Sequence, residues 1–252
     1  MRYDETYFGT HISGWHQLSR RAIEQFVERT LGERRDYRII DFGCGDGAYG
    51  SLLRGHSKWL AGVDVSADGI TQARSLGVYD DLASGDLASR ATLGSLRHGS
   101  DYDVVFSTEV IEHVEDVHQF LATARAALRQ NGLLVLTTTM YYHYLFHALL
   151  VHRSALRGFG WLDYLAGFVS EHRRRRFVRR FWEYSGGHFH GFSKRILVKA
   201  LRANGFELKS FEWMHAGQLV PTHSLTQERE RFAQRGRFYM LAATPCFLWR
   251  EG

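Results

Sequence analysis

Short apolar runs alternate with helix-period segments over the first 140 residues, the arrangement of βαβ units around a parallel sheet. Strands are predicted near 37–41, 59–63, 103–107 and 132–138, with a weaker one near 80–84. Between and before them, helical periodicity marks Trp15–Leu31, Tyr49–Arg54, Ala67–Ser75 and Val117–Arg129, the last stopped by Asn131-Gly132. The alternation breaks after Thr139. Residues 141–187 are aromatic, arginine-rich and read as helical. A helix at Ser193–Ala203, stopped by Asn204-Gly205, then leads to strands at Phe206–Trp213 and Phe238–Thr244. The expected fold class is α/β: a doubly wound, mostly parallel, seven-stranded sheet with a helical cap insertion. Three regions follow: 1–140, a lead-in helix and the core; 141–187, the cap; and 188–252, a helix and strands that complete the sheet.

One stretch carries chemistry. Ile39-Ile40-Asp41-Phe42-Gly43-Cys44-Gly45-Asp46-Gly47 runs from a β-branched strand into glycines at every second position. Residues without a Cβ let the backbone turn tightly and approach a ligand, and the amides that open the next helix then face it. Gly45 to Gly50 formally matches the dinucleotide fingerprint G-x-G-x-x-G. A pyrophosphate, however, would meet Asp41 before the turn and Asp46 inside it. Two negative charges suit a ligand with a cationic end better. The following strand ends in Asp64, well placed for ribose hydroxyls in either class of cofactor.

Composition sets broad limits. At 252 residues, 44% hydrophobic and 23% charged, the chain suits one domain with an elaboration. The polar start, the lack of an apolar stretch of the ~20 residues a membrane-spanning helix needs, and only two cysteines point to the cytoplasm. The net charge of +5 is concentrated: Val151–Trp182 holds eight arginines against Asp163 and Glu171, so the remainder is close to neutral.

Further motifs extend the glycine turn. Gly62-Val63-Asp64-Val65-Ser66, Gly85-Asp86-Leu87, Tyr102–Ser107 followed by Thr108-Glu109-Val110-Ile111-Glu112-His113, and Leu128–Leu134 follow in order. Together with Asp41-x-Gly43-x-Gly45-x-Gly47 they resemble the class I S-adenosylmethionine-dependent methyltransferases over residues 37–139 and again over 188–244. The resemblance implies a Rossmann-like methyltransferase fold, S-adenosyl-L-methionine as cofactor, and roles for single residues. Asp41 would hold the methionine ammonium, with Gly43, Cys44 and Gly45 passing close to the homocysteine part. Asp64 would bind the ribose, Val65 would pack on the adenine face, and Asp86 and Leu87 would meet the adenine edge. Ser107 and Thr108 would line the methionine moiety. Apart from the resemblance, two readings of the lead-in helix stay open: Trp15 and Arg20 close over the cofactor, with Arg20 near its carboxylate, or the helix is simply exposed. For Asp86, an ordinary turn aspartate is an equal alternative.

Methyl transfer is an in-line displacement, and an oxygen acceptor must lose its proton to a histidine or carboxylate in reach. Glu109-Val110-Ile111-Glu112-His113 lies just past the fourth strand, and His188-Phe189-His190-Gly191-Phe192-Ser193 resembles an H-x-H-x-F-S entry of small-molecule and sugar methyltransferases. Glu109, His113 and His190 are the expected catalytic residues. Three readings stay open: a base role for His113 or His190; a divalent-cation site built from Glu109, Glu112, His113 and His190, which is disfavoured; and a structural role in which Glu112 and His113 start a helix and hydrogen-bond the loop. The E-V-I-E-H string is similar to the metal-binding string of ubiquinone-pathway and small-RNA O-methyltransferases. Expected acceptors are a small molecule, a sugar or a lipid-linked compound. Arg173–Arg176, Arg179 and Arg180 interleave with Phe177, Val178, Phe181 and Trp182, as on a basic amphipathic helix. Such a helix would meet an anionic membrane, at the inner face, or an acidic substrate; a merely solvated face carries equal weight, and nucleic acid is disfavoured. The rival functions are a nicotinamide-dependent oxidoreductase and a non-catalytic S-adenosylmethionine-binding protein.

Overall fold

In the computed structural model the described residues are 14–141, 144–145, 149, 156–158, 160–181, 187–215, 218–221 and 236–245, with side chains assigned from 20 to 212 within these ranges. The strands are β1 (Tyr37–Phe42), β2 (Ser57–Asp64), β3 (Asp81–Ser84), β4 (Tyr102–Thr108), β5 (Leu128–Thr139), β6 (Phe206–His215), β7 (Gln218–Pro221) and β8 (Gly236–Pro245). The helices are α1 (Gly14–Leu31), α2 (Gly50–Arg54), α3 (Ala67–Ser75), α4 (Arg90–Gly94), α5 (Val117–Ala127), α6 (Gly160–Ala166), α7 (Glu171–Val178) and α8 (Lys194–Ala203).

The strands form one sheet in the order β3-β2-β1-β4-β5-β8-β6-β7. Neighbours from β3 to β5 run parallel, whereas β8 pairs antiparallel with both β5 and β6. The α/β doubly wound class is therefore as expected. An eighth strand is added at the edge because β6 runs on to His215 and folds back as a hairpin into β7. The order reverses between β1 and β4, which opens a crevice beyond the carboxyl ends of these strands, the usual ligand position in such sheets.

Both faces of the parallel part are covered, which is why its strands read as continuous apolar runs. Ile39, Val104 and Phe106 pack with Ala22, Ile23, Phe26 and Val27 of α1 on one face. Ile40, Phe42 and Val105 pack with Phe120, Leu121 and Ala124 of α5 and Leu197 and Leu201 of α8 on the other. Capping is conventional: Ser66, Asp116 and Ser193 accept from amides at the starts of α3, α5 and α8. One predicted stop is corrected. Helix α5 ends at Ala127, and β5 begins at Leu128. Asn131, with φ of 61°, sits inside β5 where its pairing with β4 shifts register between Tyr102 and Val104.

The insertion has its own apolar cluster of Tyr141, Tyr144, Tyr164, Phe177, Val178 and Phe181. Tyr141 stacks on Tyr164 at 5.3 Å, and its hydroxyl donates to the Tyr164 carbonyl at 3.0 Å. The Tyr141 amide donates to the Phe192 carbonyl at 2.7 Å, which ties the cap to the segment before α8. The arginine run is organised inward more than expected. Arg173, Arg176 and Arg180 reach the fully buried Asp163 at 2.9, 3.2 and 3.5 Å. Arg174 is buried and donates to the Gly167 carbonyl at 2.8 Å. Burial pulls the Asp163 carboxyl up, yet the arginines outweigh it and hold it below its ordinary value. Trp161, Leu162 and Leu165 of α6, with Val169 beyond it, are exposed. Tyr142, Phe146, Leu150 and Trp182, expected in the cap, lie outside the described residues, as do Cys246 and the side chain of Trp15. Among the described residues, no helix is long and apolar enough to cross a membrane.

Candidate active site

The glycine turn docks on the tip of β2. The amides of Gly43 and Cys44 donate to the Val63 carbonyl at 2.7 and 3.1 Å, so the chain leaves β1 already bound to its neighbour. Gly43 has φ of +81°, and a Cβ there would lie 2.2 Å from Val110 Cγ2. Both features demand glycine. Cys44 is buried, and burial pushes its thiol well above the ordinary value, so it stays protonated.

Two carboxylates stand at adjacent strand tips. Asp64 accepts from the Gly45 amide at 2.9 Å through Oδ2 and from the Ser66 amide at 2.8 Å through Oδ1. One bond comes from the turn and the other from the start of α3, so the carboxylate is held between them. Burial raises its pKa, opposed by these amides. Asp41, only 3% exposed, is level with Gly62 on β2 and Phe106 on β4. Its Oδ2 accepts from the Tyr79 hydroxyl at 2.8 Å. Burial lifts the Asp41 carboxyl to about 7, the Tyr79 bond working against this and Asp64 adding to it.

Around this pair, Val65 is 61% exposed, an apolar side chain left open at the mouth of the crevice. Asp86 accepts from the Ala88 amide at 2.8 Å, the contact of an Asx turn, while the Leu87 side chain enters the core. Ser107 donates to the Phe42 carbonyl at 2.9 Å and so fixes β4 against the glycine turn. Among the described residues, Thr108 Oγ1 is buried without a hydrogen-bond partner. Arg20 pairs with Glu24 at 2.8 Å on the exposed side of α1.

Just past β4 lies a second group. Glu109 adopts φ of 56°, unusual for a residue with a side chain, and its carboxylate accepts from Thr137 and Thr139 hydroxyls, both at 3.1 Å. Glu112 is fully buried and accepts from Thr138 Oγ1 at 2.8 Å and the Thr139 amide at 3.4 Å, and it shares the single Thr139 hydroxyl proton with Glu109, its oxygen lying 3.3 Å from Thr139 Oγ1. Its backbone carbonyl takes the amides of Phe189 and His190. That contact brings the second histidine cluster to the first. The imidazoles of His113 and His188 stand edge to face at 4.5 Å. A carboxylate oxygen of Glu112 and one nitrogen each of His113 and His188 lie within 4.8 Å of one another.

His190 points elsewhere. Its Nε2 meets the Glu115 carbonyl at 3.2 Å, its ring stacks near Phe192, and burial lowers its pKa, with Arg175 reinforcing this. The structure thus brings Glu112 and His113 together with His188 rather than His190, and keeps Glu109 on the threonines. An O/N set of one carboxylate and two imidazoles suits a divalent transition metal by donor chemistry. Tyr79, His188 and the run Thr137–Thr139 are the residues that sequence reasoning left out. His188 was visible in the H-x-H string, but nothing local separates it from His190.

A methyltransferase-domain family model matches residues 15–210. A ubiquinone biosynthesis O-methyltransferase of Rickettsia typhi is 29% identical over 126 residues, which cover 49% of this chain and 50% of that protein. The corresponding protein of Azorhizobium caulinodans is 33% identical over 114 residues, 44% of this chain and 43% of its own. The chain thus matches about half the length of these curated relatives. Among solved structures, an S-adenosylmethionine-dependent methyltransferase from Mesorhizobium loti aligns with a TM-score of 0.58 at 20% identity, covering 88% of this chain and 98% of that one. The 4+2 cyclase SpnF aligns with a TM-score of 0.58 at 17% identity, over 89% of this chain and 80% of its own. These two share the fold.

Proposed function

Because this chain belongs to the class I S-adenosylmethionine-dependent methyltransferase family, we propose that it methylates a hydroxyl oxygen of a small molecule, sugar or lipid-linked acceptor. The observation that carries this is the placement of two groups at or beyond the carboxyl ends of the parallel strands: the Asp41–Asp64 cradle and the His113–His188 pair. When bound, S-adenosyl-L-methionine supplies an electrophilic methyl group. Asp64, held by two amides, offers its remaining lone pairs to the ribose hydroxyls. Asp41 meets the ammonium, Val65 covers the adenine face, and Gly43, Cys44 and Gly45 give the backbone its close approach. Leu87 brings its amide to the adenine edge, where Asp86 contributes as far as its Asx turn allows. Ser107 and Thr108 line the methionine part, and Arg20 reaches its carboxylate by leaving Glu24. His113, with His188 beside it, takes the acceptor's proton, and a placed base of this kind is worth roughly 10²–10⁴-fold in rate. Glu109 orients this rim through the threonines, and His190 holds the loop that carries His188.

The convergence of Glu112, His113 and His188 supports a second version, in which a divalent cation held there polarises the acceptor hydroxyl. Activity that survives exhaustive chelation overturns it. The lipid-linked end of the acceptor range is supported by exposed Trp161, Leu162 and Leu165 on α6 and Val169 just beyond it, beside α7, which carries Arg173 and Arg176. Sedimentation with anionic vesicles but not zwitterionic ones is expected if that face meets a membrane.

Calorimetry tests the core of the proposal: adenosylhomocysteine is expected to bind and NAD is not. The opposite result makes the chain an oxidoreductase. Methyl transfer from labelled S-adenosylmethionine to a panel of phenols, catechols, sugars and lipid-linked hydroxyls then identifies the acceptor. Affinity without turnover on any of them favours a binding protein.

A further inference from the structure

We propose that Tyr79 is a positioning residue for cofactor binding: its hydroxyl holds one carboxylate oxygen of Asp41 so that the other faces the ammonium of S-adenosylmethionine. The identity of the ligand rests on the proposed methyl transfer; the arrangement of the two side chains does not. Tyr79 lies in the loop between α3 and β3, and its ring fills a slot left by three glycines of other elements. A Cβ on Gly47 in the turn would lie 3.2 Å from Tyr79 Cε2, and one on Gly50 at the start of α2 would lie 2.8 Å from the same atom. On the other edge of the ring, a Cβ on Gly62 of β2 would lie 3.0 Å from Cε1. Gly50 and Gly62 do not have the positive φ of Gly47, so crowding, to which the Tyr79 ring contributes, calls for glycine there. Held at both edges, the ring has its hydroxyl placed for it.

That hydroxyl donates to Asp41 Oδ2 at 2.8 Å. Among the described residues Oδ1 has no hydrogen-bond partner, yet it is not sealed from solvent. Nor does a cationic side chain among them act on this acid. The titratable groups around the pair are Asp64 at the tip of β2, Cys44 and Asp46 in the turn, and Tyr49 before α2. A nearly buried carboxylate whose one partner is a neutral donor lacks the positive charge that burial calls for. A ligand ammonium at Oδ1 supplies it.

Tyr79 acts on the carboxylate in two ways. Donation to Oδ2 fixes its rotation, which leaves Oδ1 as the free acceptor. It also favours the charged form, because burial lifts Asp41 to about 7 and the Tyr79 bond pulls against that. Burial and the neighbouring Asp41 keep the phenol itself protonated, so it stays a donor. Without the hydroxyl, Asp41 would keep its proton to higher pH, and a cationic ligand would lose its counter-charge.

Calorimetry on the full chain with two ligands that share the nucleoside tests this. Adenosylhomocysteine carries the ammonium, and 5′-methylthioadenosine lacks it. In the unsubstituted protein the ratio of their affinities is expected to rise with pH through about 7, as Asp41 becomes charged. Tyr79→Phe keeps the ring and removes the hydroxyl. The midpoint of that rise should then move to about pH 8 or above, with adenosylhomocysteine bound roughly fivefold more weakly at pH 7 and methylthioadenosine unchanged. A flat ratio, an unmoved midpoint, or an equal loss for both ligands, which a merely structural role would give, overturns the proposal. Should Tyr79→Phe fail to fold, a crystal structure of the unsubstituted protein with adenosylhomocysteine decides. The amine is expected at Oδ1 with Tyr79 still on Oδ2; an amine on Oδ2, or away from Asp41, overturns the proposal. If adenosylhomocysteine does not bind the unsubstituted protein, the proposed methyl transfer fails and this role with it, whereas binding with an unmoved midpoint removes Tyr79 alone.

Discussion

The hydroxyl of Tyr79 donates to Oδ2 of Asp41 at 2.8 Å, joining the loop before β3 to the tip of β1 across one intervening strand. The bond favours the charged carboxylate, but burial dominates and leaves Asp41 near 7. A pKa raised on folding contributes stability that is fully present below the unfolded value and is lost as pH rises through about 7. Asp41→Asn keeps an acceptor for Tyr79 and removes the charge. Urea unfolding should show a gain that grows between about pH 4 and pH 7 and levels off above that, to on the order of 1–3 kcal/mol. The same variant should bind adenosylhomocysteine at least about tenfold more weakly, one lost charge-assisted contact being worth roughly 1.5–3 kcal/mol. Unchanged affinity would remove Asp41 from the site.

Asp64→Ala should behave differently, because this carboxylate is the acceptor for two amides. Leaving the Gly45 and Ser66 amides without it costs roughly 1–3 kcal/mol. Both stability and adenosylhomocysteine affinity should fall together, measured by urea unfolding and calorimetry.

Gly43→Ala combines two penalties: a φ of +81° and a Cβ 2.2 Å from Val110 Cγ2. A loss of roughly 1–3 kcal/mol is expected. Adding Val110→Ala should relieve the collision but leave the backbone cost, so a double-mutant cycle should recover only part of the loss. Full recovery would show that the backbone conformation carries no cost.

In the cap, Asp163→Asn leaves Arg173, Arg176 and Arg180 facing one another without their shared acid. Burial raises the Asp163 carboxyl and the arginines more than reverse it, so its folded pKa lies below the unfolded one. Stability from this group is present above the unfolded value and lost as pH falls through the folded one. The variant should be less stable at pH 7 by roughly 1–3 kcal/mol. Its deficit should shrink on acidification below pH 4, as followed by thermal unfolding.

Much of the fold was legible because it rests on local periodicity. Ile39-Ile40 and Val104-Val105 read as strands buried on both faces, and each pair does divide between the two apolar layers. Helix α3 has the bounds expected, Ser66 before it being a conventional cap. The helix before β5 was overextended to Arg129 because Asn131-Gly132 looks like a helix stop. The left-handed residue instead serves a register shift within the strand. The hairpin Gln218–Pro221 was not expected, since pairing along β6 confers strand character that four residues do not announce alone.

The sequence by itself determined where the acids at positions 41 and 64 fall, because a strand followed by a glycine turn is a local pattern. Only the tertiary structure decided which distant side chains complete them: Tyr79 on Asp41, three threonines on Glu109 and Glu112, His188 beside His113, and three arginines on Asp163. Periodicity fixes which way a residue faces within its own element, and side-chain partners from other elements are set by how the elements pack.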